Sequence, residues 1–211
     1  MQPKHIVLIG DSIFDNGGYV GGGDSVIEQL NRKLPEKTKS TLLAVDGDVT
    51  EDVYAQLENI PNDATHVFIS CGGNDALRII SILNKPVESV GHAMDVFTDV
   101  KNQFEERYSR MVLAVSKKVG KVTICTVHDS VPEYTTRALT ALSMFNEVIL
   151  KEAFRINAPV IDLRLACNEA QDYSPVSPIE PSVHGAKKIS DLIVRVTQEH
   201  SFSVNKSSVY R

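Results

Sequence analysis

The chain has 211 residues, 42% of them hydrophobic and 23% charged, with a formal net charge of -5 at pH 7. This length suits one domain with a substantial core, and the acidic balance leaves no basic surface for nucleic acid or an anionic membrane. No apolar run approaches the roughly 20 residues that cross a bilayer, and a strand pattern opening at His5 leaves no room for a signal peptide, so the reading is a cytoplasmic protein with no membrane insertion.

His5–Ile9 is a short run rich in β-branched residues, the pattern of a buried parallel strand. It runs into Gly10-Asp11-Ser12, which delivers a serine to the carboxyl end of a strand, where open α/β sheets place their ligands. Ser12 is the candidate nucleophile; the competing reading is a turn or helix-capping serine. The glycine-rich stretch 17–23 follows, with neither P-loop nor dinucleotide spacing, and reads as a flexible rim. A helix is predicted from Asp24, with Val26, Ile27, Leu30 and Leu34 on its apolar face.

Thr41–Val45 is the predicted second strand, ending at Asp46-Gly47-Asp48, with Thr50 as cap of a helix that carries Val53 and Leu57. His66–Ser70 is the third and runs into Gly72-Gly73-Asn74-Asp75. The spacing over 87–118 predicts a long helix whose stripe, Val90, Met94, Phe97, Val100, Phe104, Tyr108, Met111 and Val115, reads as core packing. Lys121–Val127 and Pro159–Leu163 are strands four and five, with a helix from Arg137 to Phe154 between them. A last helix opens at Pro181-Ser182, and residues 201–211 are polar and aperiodic, read as a flexible tail to a domain spanning 1–200. Strands alternating with helices argue for a parallel sheet covered on both faces. Cys71, Cys125 and Cys167 have neither disulfide nor metal spacing and read as reduced, packed side chains.

Three strand ends therefore carry Ser12, Gly47 and Asn74. Two backbone N–H groups, from Ser12 and Gly47, and the Asn74 side-chain amide form a set suited to holding an oxyanion. In order and spacing these blocks resemble the SGNH, or GDSL-type, hydrolases: Gly10-Asp11-Ser12 matches the first block, Gly47 the second, and Gly72-x-Asn74-Asp75 the third. The resemblance spans about His5 to Glu199. It implies a three-layer α/β/α sandwich around a five-stranded, flavodoxin-like parallel sheet, and ester hydrolysis through an acyl-serine.

The fourth block departs from the family pattern of an aspartate, two residues, then histidine and proline. Anchored on Pro181 and Gly185, Ser177 stands at the aspartate position and Glu180 at the histidine position. Several arrangements stay open. His184 can reach Ser12 from one turn further on, oriented by Glu180 or by Asp162 or Asp172. Glu180 can itself act as base, provided burial raises it from the ordinary value near 4.3. His128, just past the fourth strand, is a third base candidate. A non-catalytic or very weakly active descendant that binds a small acyl or sugar ligand is the competing functional class. Asp11 and Asp75 read as turn-capping acids. The expectation is a serine hydrolase of a small carboxylic ester, with Ser12, Gly47, Asn74, Glu180 and His184 as site residues and no metal or organic cofactor implied.

Overall fold

The computed structural model of the protein describes residues 3–131 and 134–211. Its first strand, β1 (Lys4–Gly10), is buried from His5 onward, as expected of a strand covered on both faces. Alternation divides its side chains between two cores. Ile6 and Leu8 face one cluster with Val26, Leu30, Ile189 and Ile193, while Val7 and Ile9 face another with Val53, Met111, Val115 and Ile149. All four strand side chains have 0% exposure, each contributing roughly 1.5–3 kcal/mol of hydrophobic burial.

In chain order the elements are α1 (Val26–Lys33), β2 (Thr38–Leu42), α2 (Val53–Glu58), β3 (His66–Ser70), α3 (Gly73–Arg78), α4 (Val90–Lys118) and β4 (Val122–Cys125). There follow α5 (Thr136–Arg155), β5 (Val160–Ile161), α6 (Leu163–Ala166), α7 (Val183–Glu199) and β6 (Val209–Tyr210). The sheet order is β2-β1-β3-β4-β5-β6, and every neighbouring pair is parallel. Helices α1 and α7 pack on the face of Ile6 and Leu8, and α2, α4 and α5 on the face of Val7 and Ile9, which gives the three-layer α/β/α sandwich.

Three sequence expectations need correction. The sheet has six strands, not five: the segment read as a polar tail supplies β6, whose register places Val209 opposite Val160 and Tyr210 opposite Ile161. β2 lies three residues earlier than the apolar run 41–45. Leu43 and Ala44 both donate to the Leu8 carbonyl, at 2.9 and 3.0 Å, so the ladder ends in a turn there. The edge position of β2 accounts for its polar residues Thr38, Lys39 and Ser40. The stripe of α4 is core only in its second half: Phe104, Tyr108, Met111 and Val115 are buried, whereas Val90 is 79% and Met94 54% exposed. Between these halves Phe97 and Val100 are half-buried, Val100 against the core.

Cys71, Cys125 and Cys167 are all free and buried. Burial pushes the Cys71 and Cys125 thiols up from their ordinary values, so they behave as small apolar side chains.

Candidate active site

The register of β1 with β3 sets Gly10 opposite Ser70, so the loops leaving these two central strands start side by side. Gly10 has φ of 125°, and a Cβ there would lie 1.8 Å from the Ser70 carbonyl oxygen; only glycine permits this approach. The Asp11 N–H donates to that same oxygen at 3.0 Å, and the Phe14 and Asp15 N–H groups both donate to the Asp11 carbonyl at 3.1 Å. Ser12 sits on the turn thus formed, 7% exposed. Among the described residues its N–H has no acceptor.

Gly47 lies in an exposed turn past β2 with φ of 84°, a left-handed conformation that favours glycine. Its N–H likewise has no acceptor among the described residues. Asn74 opens α3, and its Nδ2 donates to the Asp48 carbonyl at 3.0 Å, which ties the third block to the residue after Gly47 and leaves the second amide hydrogen uncommitted. Asp75 accepts from the N–H and hydroxyl of Thr50 at 3.0 and 2.9 Å, a bracing role between blocks two and three.

Two clamps had no signal in the sequence beyond an ordinary polar residue. Gln56, buried on α2, accepts from Gly10 N–H at 2.7 Å and donates both to Gly10 carbonyl and to Asp48 Oδ2 at 2.8 Å. It holds the end of β1 to the Gly47 loop. Asn16, with 0% exposure, donates from Nδ2 to the Pro181 carbonyl at 3.0 Å and accepts from Val26 N–H at 2.9 Å. It holds the loop after Ser12 to the fourth block.

The fourth block folds back on itself. Ser174 N–H donates to the Glu180 carbonyl at 2.9 Å, Ser182 N–H donates to the Asp172 carbonyl at 2.8 Å, and Tyr173 and Pro181 form an antiparallel bridge. Glu180 is thereby fixed just before α7, 4% exposed, lining one cavity with Asp11, Ser12, Asn74 and His128. Burial raises its carboxyl above the ordinary value; the charge of Asp46 adds to this, and the nearby Ser177 and Ser12 hydroxyls act the other way. One carboxylate oxygen, Oε2, is buried without a hydrogen-bond partner among the described residues.

His184 is placed elsewhere. Ser182 caps α7, its Oγ accepting from the N–H groups of His184 and Gly185 at 3.0 and 3.2 Å, and the first turn of the helix carries the His184 side chain outward. That side chain is 45% exposed, its Nε2 is 3.6 Å from Asp172 Oδ1, and it does not line the cavity of Ser12. The structure thus brings Ser12, Asn74 and Glu180 together, keeps Gly47 beside them through Asp48, and leaves His184 outside, beside Asp172 at more than hydrogen-bond distance and away from Glu180. Asp162 caps α6 and pairs with Arg164 at 2.6 Å.

His128 does line the cavity. Burial lowers its imidazole to about 4, opposed by a hydrogen bond with the backbone of Ile179, and its ring lies edge-on to Tyr173 at 5.0 Å. Burial pushes Asp11 up to about 8, with the Ile13 N–H opposing and the charges of Asp75 and Glu180 adding.

Glu169, Asp172 and His184 place ligand-type atoms within 4.8 Å of one another. Lys188 Nζ, however, is 2.8 Å from Asp172 Oδ2 and 3.6 Å from Glu169 Oε2, supplying the positive charge there itself. This set suits an internal ion pair better than a divalent ion.

Similar folds carry known esterases. The chain matches a lipase from a goat-rumen metagenome with TM-score 0.72 and 21% identity, over 94% of this chain and 99% of that one. An extracellular lipase from Streptomyces rimosus matches with TM-score 0.68 and 17% identity, over 92% and 99%. An acetyl xylan esterase from Geobacillus stearothermophilus matches with TM-score 0.67 and 20% identity, over 95% and 97%. No curated protein sequence matches at a significant level. No helix among the described residues is long and apolar enough to cross a membrane. The model of the GDSL-like lipase/acylhydrolase family matches residues 8–188, a span that holds the serine turn, the Gly47 and Asn74 blocks and Glu180, and the chain belongs to that family of ester-bond hydrolases.

Proposed function

We propose that the protein hydrolyses a small carboxylic ester through an acyl-serine formed on Ser12, with the Glu180 carboxylate as the proton carrier. The observation that carries this reading is the buried Glu180 carboxyl, raised above its ordinary value and sharing a cavity with Ser12, where the family pattern has a histidine. A carboxylate of ordinary pKa is a poor match for a serine hydroxyl, and burial improves the match.

Glu180 takes the Ser12 proton as Oγ attacks the ester carbonyl. The negative charge that develops on the carbonyl oxygen meets the N–H groups of Ser12 and Gly47 and the free amide hydrogen of Asn74. The tetrahedral adduct collapses, and the alcohol leaves with the proton held by Glu180. Water then attacks the acyl-serine and gives its proton to Glu180, and the proton returns to Ser12 Oγ as the acid leaves. His128, held neutral by burial, shapes the wall beside Glu180.

Removing the imidazole of a serine hydrolase costs orders of magnitude in rate, so the outward position of His184 also favours a second reading, a pocket that binds its ligand with little or no turnover. Hydrolysis of p-nitrophenyl esters by wild type, Ser12→Ala, Glu180→Gln, His128→Asn and His184→Ala separates the two. The hydrolase reading expects loss in Ser12→Ala and Glu180→Gln and retention in His184→Ala. A rate indifferent to Ser12 favours the binding protein.

A further inference from the structure

Taking the hydrolase reading of Ser12 as its basis, we propose that the site selects an ester joining an apolar acyl chain to an uncharged or cationic alcohol, and that it rejects anionic leaving groups. The two halves of the site differ sharply in chemistry. From Ser12 the cavity runs between the segment after β3 and helix α5, lined by Leu77, Ile79, Leu83, Ala138, Ala141 and Met144. Apart from Tyr134, which precedes α5, its polar side chains are those near the ends of β1, β3 and β4 and Glu180 before α7, and none of its described lining residues is a lysine or arginine. Such a wall offers an acyl chain extensive apolar contact and gives a carbohydrate few partners for its hydroxyls.

Around the nucleophile the charges are of one sign. Asp46 N–H donates to Asp15 Oδ2 at 3.0 Å, and Tyr19 donates to Asp46 Oδ2 at 2.6 Å, forming a rim in which Asp46 is exposed and Asp15 half-buried. Behind it stand Asp48 and Asp75. Among the described residues none of these four acids takes part in an ion pair. An independent observation points the same way: Glu180, 4% exposed, aims into the cavity with Oε2 buried and unpartnered, an acceptor without a donor. A phosphate or carboxylate in the alcohol part would enter this field without a counter-charge, whereas an ammonium is drawn to it.

The acyl part takes the cavity and the alcohol the rim, because the acyl group stays bonded to Ser12 through two steps and gains from enclosure. The alcohol must leave and admit water, which an open, polar side permits.

Three hexanoyl esters of similar alcohol size test the charge rule: the cationic choline ester, the neutral 3,3-dimethylbutyl ester and the anionic 2-sulfoethyl ester. At low ionic strength kcat/KM is expected to fall in that order, by about tenfold from the first to the last, with the gap shrinking as salt is added. Asp46→Asn and Asp15→Asn are expected to narrow the cationic-to-anionic ratio. Dissociation constants of the same esters from Ser12→Ala protein read the rule without turnover and are expected to keep the order. An anionic ester bound and cleaved as well as the cationic one, or a ratio unmoved by both substitutions, overturns the proposal. The charge order in binding with no Ser12-dependent hydrolysis overturns the hydrolase reading alone.

Discussion

Asn16 donates a 3.0 Å hydrogen bond to the Pro181 carbonyl, and so fixes the residue next to Glu180 to the loop that carries Ser12. The same side chain accepts from Val26 N–H, so a single buried amide sets the spacing between nucleophile, fourth block and the start of α1. Asn16→Ala leaves a buried carbonyl and a buried N–H unpaired, at a cost of about 1–3 kcal/mol in urea denaturation. If Asn16 positions Glu180, kcat falls with KM little changed, and the acid limb of the pH profile moves as well. Loss of stability alone, with kinetics unchanged in the folded fraction, contradicts that role.

With Glu180 as the proposed base and Asp11 beside the proposed oxyanion site, the rate is expected to follow two carboxyls with opposite requirements. A base must be ionised, and burial raises Glu180, so kcat/KM is expected to rise with pH over a range above the ordinary glutamate value near 4.3. Asp11 keeps its proton up to about 8, and its ionisation then sets a negative charge beside the developing oxyanion. The expected profile is a bell, and Asp11→Asn is expected to remove the alkaline limb and leave the acid limb in place.

Asp11 has a consequence for folding too. The unfolded chain releases this proton near pH 3.9 and the folded chain at about 8, so the folded state binds more protons across that window. The stability this group contributes is complete below about pH 3.9 and is lost as pH rises towards 8. Urea midpoints of wild type should therefore fall from about pH 5 to 8 by more than those of Asp11→Asn.

The approach of Gly10 to Ser70 leaves no room for a methyl group, since the Cβ position lies 1.8 Å from a backbone oxygen. Gly10→Ala is expected to cost at least about 3 kcal/mol or to prevent folding, because neither central strand can move away without breaking the ladder. A variant with a melting temperature within a few degrees of wild type contradicts this.

Ala141 leaves space in the cavity wall on α5. Ala141→Phe is expected to shift the preferred acyl chain of p-nitrophenyl esters to shorter lengths, with the acetyl ester losing least. An unchanged chain-length profile places the acyl group elsewhere.

The three strand-end blocks were legible because each couples a glycine to a polar residue where an apolar run stops, and parallel pairing then sets Gly10 beside Ser70. The separate placement of Glu180 and His184 was not. Four residues at a helix start suit contact on one face, but Glu180 precedes the Ser182 cap while His184 follows it, and the fold-back of 172–182 turns the two apart. Gln56 and Asn16 gave no signal because a clamping amide has no periodicity. The β6 strand was missed because two residues on a sheet edge carry too little pattern, and the outer half of α4 because its spacing matches that of its buried half.

The most direct measurement is the rate of covalent labelling of Ser12 by an uncharged fluorophosphonate, followed by intact-mass spectrometry in wild type, Glu180→Gln and His184→Ala. With Glu180 as base, one adduct is expected on Ser12 in wild type, with labelling slowed by about 10³ or more in Glu180→Gln and a rate within about threefold of wild type in His184→Ala. Labelling that survives Glu180→Gln and fails in His184→Ala would contradict it and return the proton transfer to the imidazole.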